Sequence, residues 1–164
     1  MKDLKEKKYL LLDLDGVCYG KHNNYSLEKV FGQVSKRMTQ FISNRLKIDL
    51  KSAKELQTAY FYKYNTSLNG LMIHHNIPPE EFLTYVHTID LSFMKDDKIL
   101  RNELINLDME KFIFTNGSAE HAKNILTHLG VYDLFGEDKI FDIKDGGYVP
   151  KPEPKTFDLM VKKF

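Results

Sequence analysis

Two carboxylates two residues apart, Asp13 and Asp15, close an apolar run in Lys8-Tyr9-Leu10-Leu11-Leu12-Asp13-Leu14-Asp15-Gly16. Both can face one crevice if the chain turns at Gly16. Farther on, Thr115-Asn116-Gly117 offers a hydroxyl and turn N–H groups. Lys151 offers an ammonium within Val149-Pro150-Lys151-Pro152-Glu153-Pro154, where the prolines stiffen the backbone around it. A carboxylate can attack phosphorus and form an aspartyl-phosphate. A second can protonate the leaving oxygen and then deprotonate the incoming water. Two carboxylates would repel a phosphate dianion unless a cation intervened, and Mg²⁺, with oxygen ligands and several retained waters, suits that task. The lysine, the threonine hydroxyl and the turn N–H groups near Gly16 and Asn116 would hold the equatorial oxygens as charge shifts.

Such residues converge only if the elements before them lie side by side. Lys8 to Leu14, Lys111 to Thr115 and Lys139 to Ile143 each form a short apolar run followed by turn residues, the pattern of strands buried on both faces of a parallel sheet. Ligands in such sheets bind beyond the carboxyl ends of the strands, where these residues stand. Between the first two strands the chain is helical. Ser26 is expected to cap a helix along Val30, Val34, Met38, Phe41 and Ile42, and Asp49 a second along Leu56, Tyr60 and Tyr64. Ser67 to His75 reads as a third helix, and Pro79-Glu80-Glu81 as the first turn of a fourth. A fifth spans Asp97 to Leu107 with Leu100, Leu104 and Ile105 on it. Ala122, Ile125, Leu126 and Leu129 mark a further helix stopped by Gly130, and Pro154 to Lys163 a last one. The fold expected is α/β, a Rossmann-like parallel-sheet core with an α-helical cap inserted after the first strand. The expected division is a core of residues 1–19 and 109–164 around a cap of residues 20–108.

Composition agrees with a packed domain. The 164 residues are 42% hydrophobic with 9 Gly and 5 Pro, which excludes a disordered or collagen-like chain. The 24 Lys and Arg nearly balance 23 Asp and Glu, so charge argues for neither a nucleic acid polymer nor an anionic membrane as partner. No run approaches the ~18–20 apolar residues of a membrane span. One cysteine points to a reducing compartment, and a cytoplasmic location is expected.

The motifs resemble those of the haloacid dehalogenase superfamily. Asp13-Leu14-Asp15-Gly16-Val17 is similar to its first motif, Phe112-Ile113-Phe114-Thr115-Asn116-Gly117 to its second and Lys151-Pro152-Glu153-Pro154 to its third. The resemblance implies that Asp13 is nucleophile and metal ligand. It implies that Asp15 is the acid/base and lends the metal its carbonyl, and that Gly16, Thr115, Asn116 and Lys151 bind phosphate. Tyr62 to Leu71 and Glu81 to Asp90 resemble the helical cap of the pyrimidine 5′-nucleotidase-like branch, although Asn65 replaces a usual Gly and Gly16-Val17-Cys18 a usual Asn-Thr-Leu. The expected activity is Mg²⁺-dependent hydrolysis of small phosphomonoesters, foremost nucleoside 5′-monophosphates, with Tyr64, Thr66 and Ser67 of the cap selecting the substrate. Sugar phosphates or phosphoglycolate are the alternative substrates, and a phosphate-binding remnant without turnover is the alternative of another class. The last arises because the superfamily's fourth motif, an Asp after Lys151, has no counterpart here; only Glu153 and Asp158 are acidic there. A chain ending in this way is expected to bind Mg²⁺ weakly and to self-associate through the edge at Tyr9 to Leu12.

Other chemistry-bearing residues read as structural. Cys18 lacks an evident base and is expected to pack. His74-His75 are adjacent, cannot face one site, and are expected to mark a helix end. His121 and His128, seven apart, are expected to be partly solvated, and Tyr60, Tyr62 and Tyr64 to fill the cap core.

Overall fold

The computed structural model describes residues 9–20 and 27–164; Lys8 and the expected cap Ser26 lie outside them. Three parallel strands, β1 (Tyr9–Leu12), β2 (Glu110–Phe114) and β3 (Ile140–Phe141), form one sheet in the order β1-β2-β3. Among the described residues five helices separate β1 from β2: α1 (Leu27–Leu46), α2 (Leu50–Tyr64), α3 (Ser67–His75), α4 (Pro79–His87) and α5 (Lys98–Asn106). Helix α6 (Ala119–His128) joins β2 to β3, and α7 (Pro154–Lys163) follows β3. The protein is therefore an α/β protein with a Rossmann-like parallel sheet and a helical insert after its first strand.

Local signals account for the helix bounds. Asp49 caps α2 by accepting from the N–H groups of Lys51 and Ser52, and Thr66 caps α3 by accepting from that of Asn69. Asn65 and Asn76, both left-handed, end α2 and α3, a conformation asparagine tolerates better than most residues. Pro79 opens α4 with Glu80 and Glu81 in its first turn.

Burial divides into clusters. Leu14, Tyr19, Ile113, Ile140 and the α6 stripe Ala122, Ile125 and Leu126 pack together, joined by Leu104 of α5 and Val30 of α1. Val34, Phe41 and Ile42 of α1 pack with Ala53 of α2, Leu68 and Leu71 of α3, and Phe82, Leu83 and Val86 of α4. A third cluster joins Phe114 and Phe141 to Met160 of α7.

Three expectations of burial fail. Strand β1 is the sheet edge, with Tyr9 52% and Leu11 43% exposed, because it has a neighbouring strand on one side only among the described residues. Tyr62 is 79% exposed rather than in the cap core, because α2 turns Ala53 and Gln57 inward instead. Ile105 is likewise exposed, and Leu104 alone of its helix is fully buried.

Candidate active site

Strand register brings the polar residues level. Leu12 pairs with Ile113 and Phe114 with Phe141, so Asp13 and Thr115 leave the sheet at the same end within a residue of each other. The N–H of Thr115 donates to Phe141 O at 3.0 Å, which extends the ladder to the point where the site begins. After β1 the chain turns through Gly16, whose φ of +82° favours glycine.

Lys151 crosses to Asp13. Its Nζ lies 3.1 Å from Asp13 Oδ1, donates to Phe114 O, and stands 4.8 Å from the centre of the Phe114 ring. Asn116 holds the lysine backbone from both sides: its Oδ1 accepts from Lys151 N at 2.7 Å and its Nδ2 donates to Lys151 O at 3.2 Å. The Asn116 amide thus positions Lys151 rather than pointing at a ligand. Asp13 Oδ1 also accepts from Leu14 N at 2.8 Å, while no described residue donates to Oδ2. Thr115 is buried, and its Oγ1 accepts from Gly117 N at 3.0 Å.

Asp15 sits deeper. The hydroxyl of the fully buried Tyr19 donates to its Oδ1, and His121 Nε2 lies 3.3 Å from the same oxygen. Burial pushes the Asp15 carboxyl up, yet the hydrogen bond and charge of His121, with the Tyr19 hydrogen bond, hold it below the ordinary carboxylate range. Burial, reinforced by Asp15, pushes the Tyr19 phenol well above its usual value. The His121 ring stacks on His87 of α4, with centres 4.3 Å apart and planes at 13°. His87 Nδ1 shares a hydrogen bond of 3.0 Å with Ser118 Oγ, and burial with the neighbouring His121 pushes the His87 imidazole down to about 3.

Three of these residues carried no signal taken up from the chain. His121 is 2% exposed, not partly solvated: it stands four residues before Ile125 and beside Ala122, on the buried stripe of α6, whereas His128 is exposed. That spacing was the available clue. Tyr19 had none beyond its place four residues after Asp15. Asp142 ends β3 and accepts from the N–H groups of Ala119, Lys144 and Asp145, tying the strand to the first turn of α6 where Ser118 also caps.

The site opens into a cavity of about 370 Å³ between the sheet end and the inserted helices. Asp13, Asp15, Thr115, Asn116 and Lys151 line its floor, and Phe31, Val34, Met38, Phe61, Tyr62 and Phe82 line the helical side. Of the expected cap residues, Thr66 and Ser67 border it while engaged in the fold, Thr66 as the α3 cap and Ser67 as donor to Gln57 O. Tyr64 is not on its wall; its hydroxyl pairs with His74. Tyr60 hydroxyl and His75 Nε2 pair likewise at 2.8 Å, so both histidines serve the end of α3. Cys18 is buried, donates to Asp13 O at 3.4 Å, and has its thiol pushed up to about 12 by burial and by Asp13 and Asp15, which suits packing.

The chain is 28% identical over 170 residues to Phosphate metabolism protein 8 of Saccharomyces cerevisiae. That match covers 93% of this chain and 50% of the yeast protein, so the chain spans about half the length of the curated relative it matches. No family model matches the chain. The likeness is to a protein whose name places it in phosphate metabolism, and the cation, hydroxyl and carboxylates at this sheet end are groups that handle phosphate chemistry.

Among the described residues no three His, Cys, Asp or Glu side chains form a ready metal cluster, and no helix is long and apolar enough to cross a membrane. The donors at the site are nonetheless hard oxygens, and Mg²⁺ commonly binds one or two carboxylates with waters and a substrate phosphate. Asp13 Oδ2, without a described donor on a side chain 45% exposed, fits that demand.

Proposed function

We propose that this chain is a phosphomonoester hydrolase working through an aspartyl-phosphate on Asp13, most suited to nucleoside 5′-monophosphates. The observation that carries the reading is the 3.1 Å approach of Lys151 Nζ to Asp13 Oδ1, beside a buried Thr115, at the floor of an apolar-walled cavity. Asp13 would attack phosphorus as the P–O ester bond breaks, and Asp15 would pass a proton to the departing oxygen. Water would then attack phosphorus, giving its proton to Asp15 and returning Asp13 to a carboxylate. Asp15 is held ionised before a ligand enters, and a phosphate dianion nearby disfavours that charge, which helps the carboxyl take up the proton it must give. Lys151, Thr115 and the N–H groups near Gly16 and Asn116 would bear the phosphate charge. Mg²⁺, held by the Asp13 carboxylate and the Asp15 carbonyl, would supply charge neutralisation at the phosphate.

The cavity wall supports a flat, largely apolar leaving group over phosphoglycolate, since Phe31, Phe61 and Tyr62 border it. Phosphate release from nucleoside monophosphates, glucose 6-phosphate and phosphoglycolate, with and without Mg²⁺, tests the reading. Nucleotides should turn over fastest, and Asp13→Asn should abolish release while the fold survives. Turnover by pure Asp13→Asn above a few hundredths of the wild-type rate, or phosphate binding without any turnover by the wild type, refutes it.

A further inference from the structure

His121 is a buried imidazole with a structural oddity: its Nδ1 is buried and has no hydrogen-bond partner. Burying a polar atom without a partner costs on the order of 1–3 kcal/mol, so the ring must be held where it is by something else. Three observations say what. Nε2 faces Asp15 Oδ1 at 3.3 Å; the ring lies flat on His87 at 4.3 Å; and His87 is tied to Ser118, whose hydroxyl also accepts from His121 N at 3.2 Å. The Tyr19 hydroxyl reaches the same Oδ1, and no described residue donates to Oδ2.

We propose that His121, braced by His87, is a positioning residue that with Tyr19 pins Oδ1 of Asp15 and leaves Oδ2 as the oxygen that exchanges the proton. The proposal rests on the hydrolase reading of the site. It requires Nε2 of His121 to carry a hydrogen, because a carboxylate oxygen offers no donor. The chain supplies this contact across 106 residues of sequence, from the first turn of α6 to the turn after β1. A carboxylate fastened at one oxygen from two sides keeps one rotamer, and proton transfer to a leaving group depends on that placement.

Two measurements test it. Long-range ¹⁵N–¹H spectra of the wild-type histidine rings need no turnover; the expected result is hydrogen on Nε2 of His121, and a bare Nε2 overturns the proposal. Kinetics then compare His121→Phe, which keeps a flat ring without a donor, with His121→Gln, whose amide can restore one. His121→Phe should lower kcat for a nucleoside monophosphate about ten-fold or more with little change in KM. It should cost p-nitrophenyl phosphate less, since an activated phenol needs less protonation, and His121→Gln should recover most of the loss. An equal loss for both esters, a loss in KM alone, or wild-type kinetics from His121→Phe overturns the proposal. If the wild type hydrolyses neither ester, the hydrolase reading falls, and the ring spectrum still decides the contact.

Discussion

His87 makes the stability of this fold depend on pH over a window that opens above the range of ordinary carboxylates. Its imidazole is pushed from 6.5 down to about 3 by burial and by the adjacent His121, against a smaller opposing pull from Asp15. The folded-state value lies below the unfolded one, so the unfolded chain takes up the proton first as pH falls. The stabilisation is therefore fully present above about pH 6.5 and is lost progressively toward about pH 3. At pH 5 the unfolded imidazole is almost fully protonated and the folded one almost bare, a difference of up to about 2 kcal/mol relative to pH 7.5. Urea unfolding of wild type and His87→Phe at those two pH values isolates this contribution. The phenyl ring keeps the stack on His121 and loses the proton site, so its loss between the two conditions should be smaller by about 1–2 kcal/mol. The absolute stability of the variant will also change with the lost Ser118 hydrogen bond, but that bond cancels in the difference between pH values. Equal losses for the two proteins would show that His87 takes its proton freely in the fold.

At Gly70 two effects oppose. Alanine favours a helix over glycine by about 1 kcal/mol, but the added Cβ would collide with Tyr60 Cγ and lie 2.6 Å from Tyr60 Cβ, the unyielding root of that side chain. Gly70→Ala should therefore destabilise by roughly 1–2 kcal/mol in urea unfolding, and a gain in stability would show that α2 and α3 can part cheaply. Asn116→Ala removes both hydrogen bonds on the Lys151 backbone. Titration calorimetry with inorganic phosphate should then show binding weakened by about ten-fold, from roughly 1 kcal/mol per lost hydrogen bond, and unchanged binding would place Lys151 independently of that clamp.

Much of the helical architecture was legible along the chain, because its signals act over a few residues. Asp49 as a cap, the span Ser67–His75, the opening at Pro79 and the last helix Pro154–Lys163 all stand where spacing and cap chemistry put them. The α/β class followed from three apolar runs with polar turn residues after each, and the parallel ladder bears that out. Exposure was less legible. A run such as Tyr9–Leu12 reads the same in a central strand as at an edge, since the number of neighbouring strands is not written in the strand itself.

What the sequence determined by itself was the set of chemical groups and the local elements that carry them: Asp13 and Asp15 after one apolar run, Thr115 after another, Lys151 between prolines. The tertiary structure decided which of those groups touch. Strand register set Asp13 within a residue of Thr115, Asn116 turned its amide to the Lys151 backbone, and α6 and α4 brought His121 and His87 beneath Asp15. The reason is one of range: caps and periodicity act between residues a few positions apart. A contact between Asp15 and His121 joins positions 106 apart and exists only because helix and strand bury their apolar faces together and carry the polar residues with them.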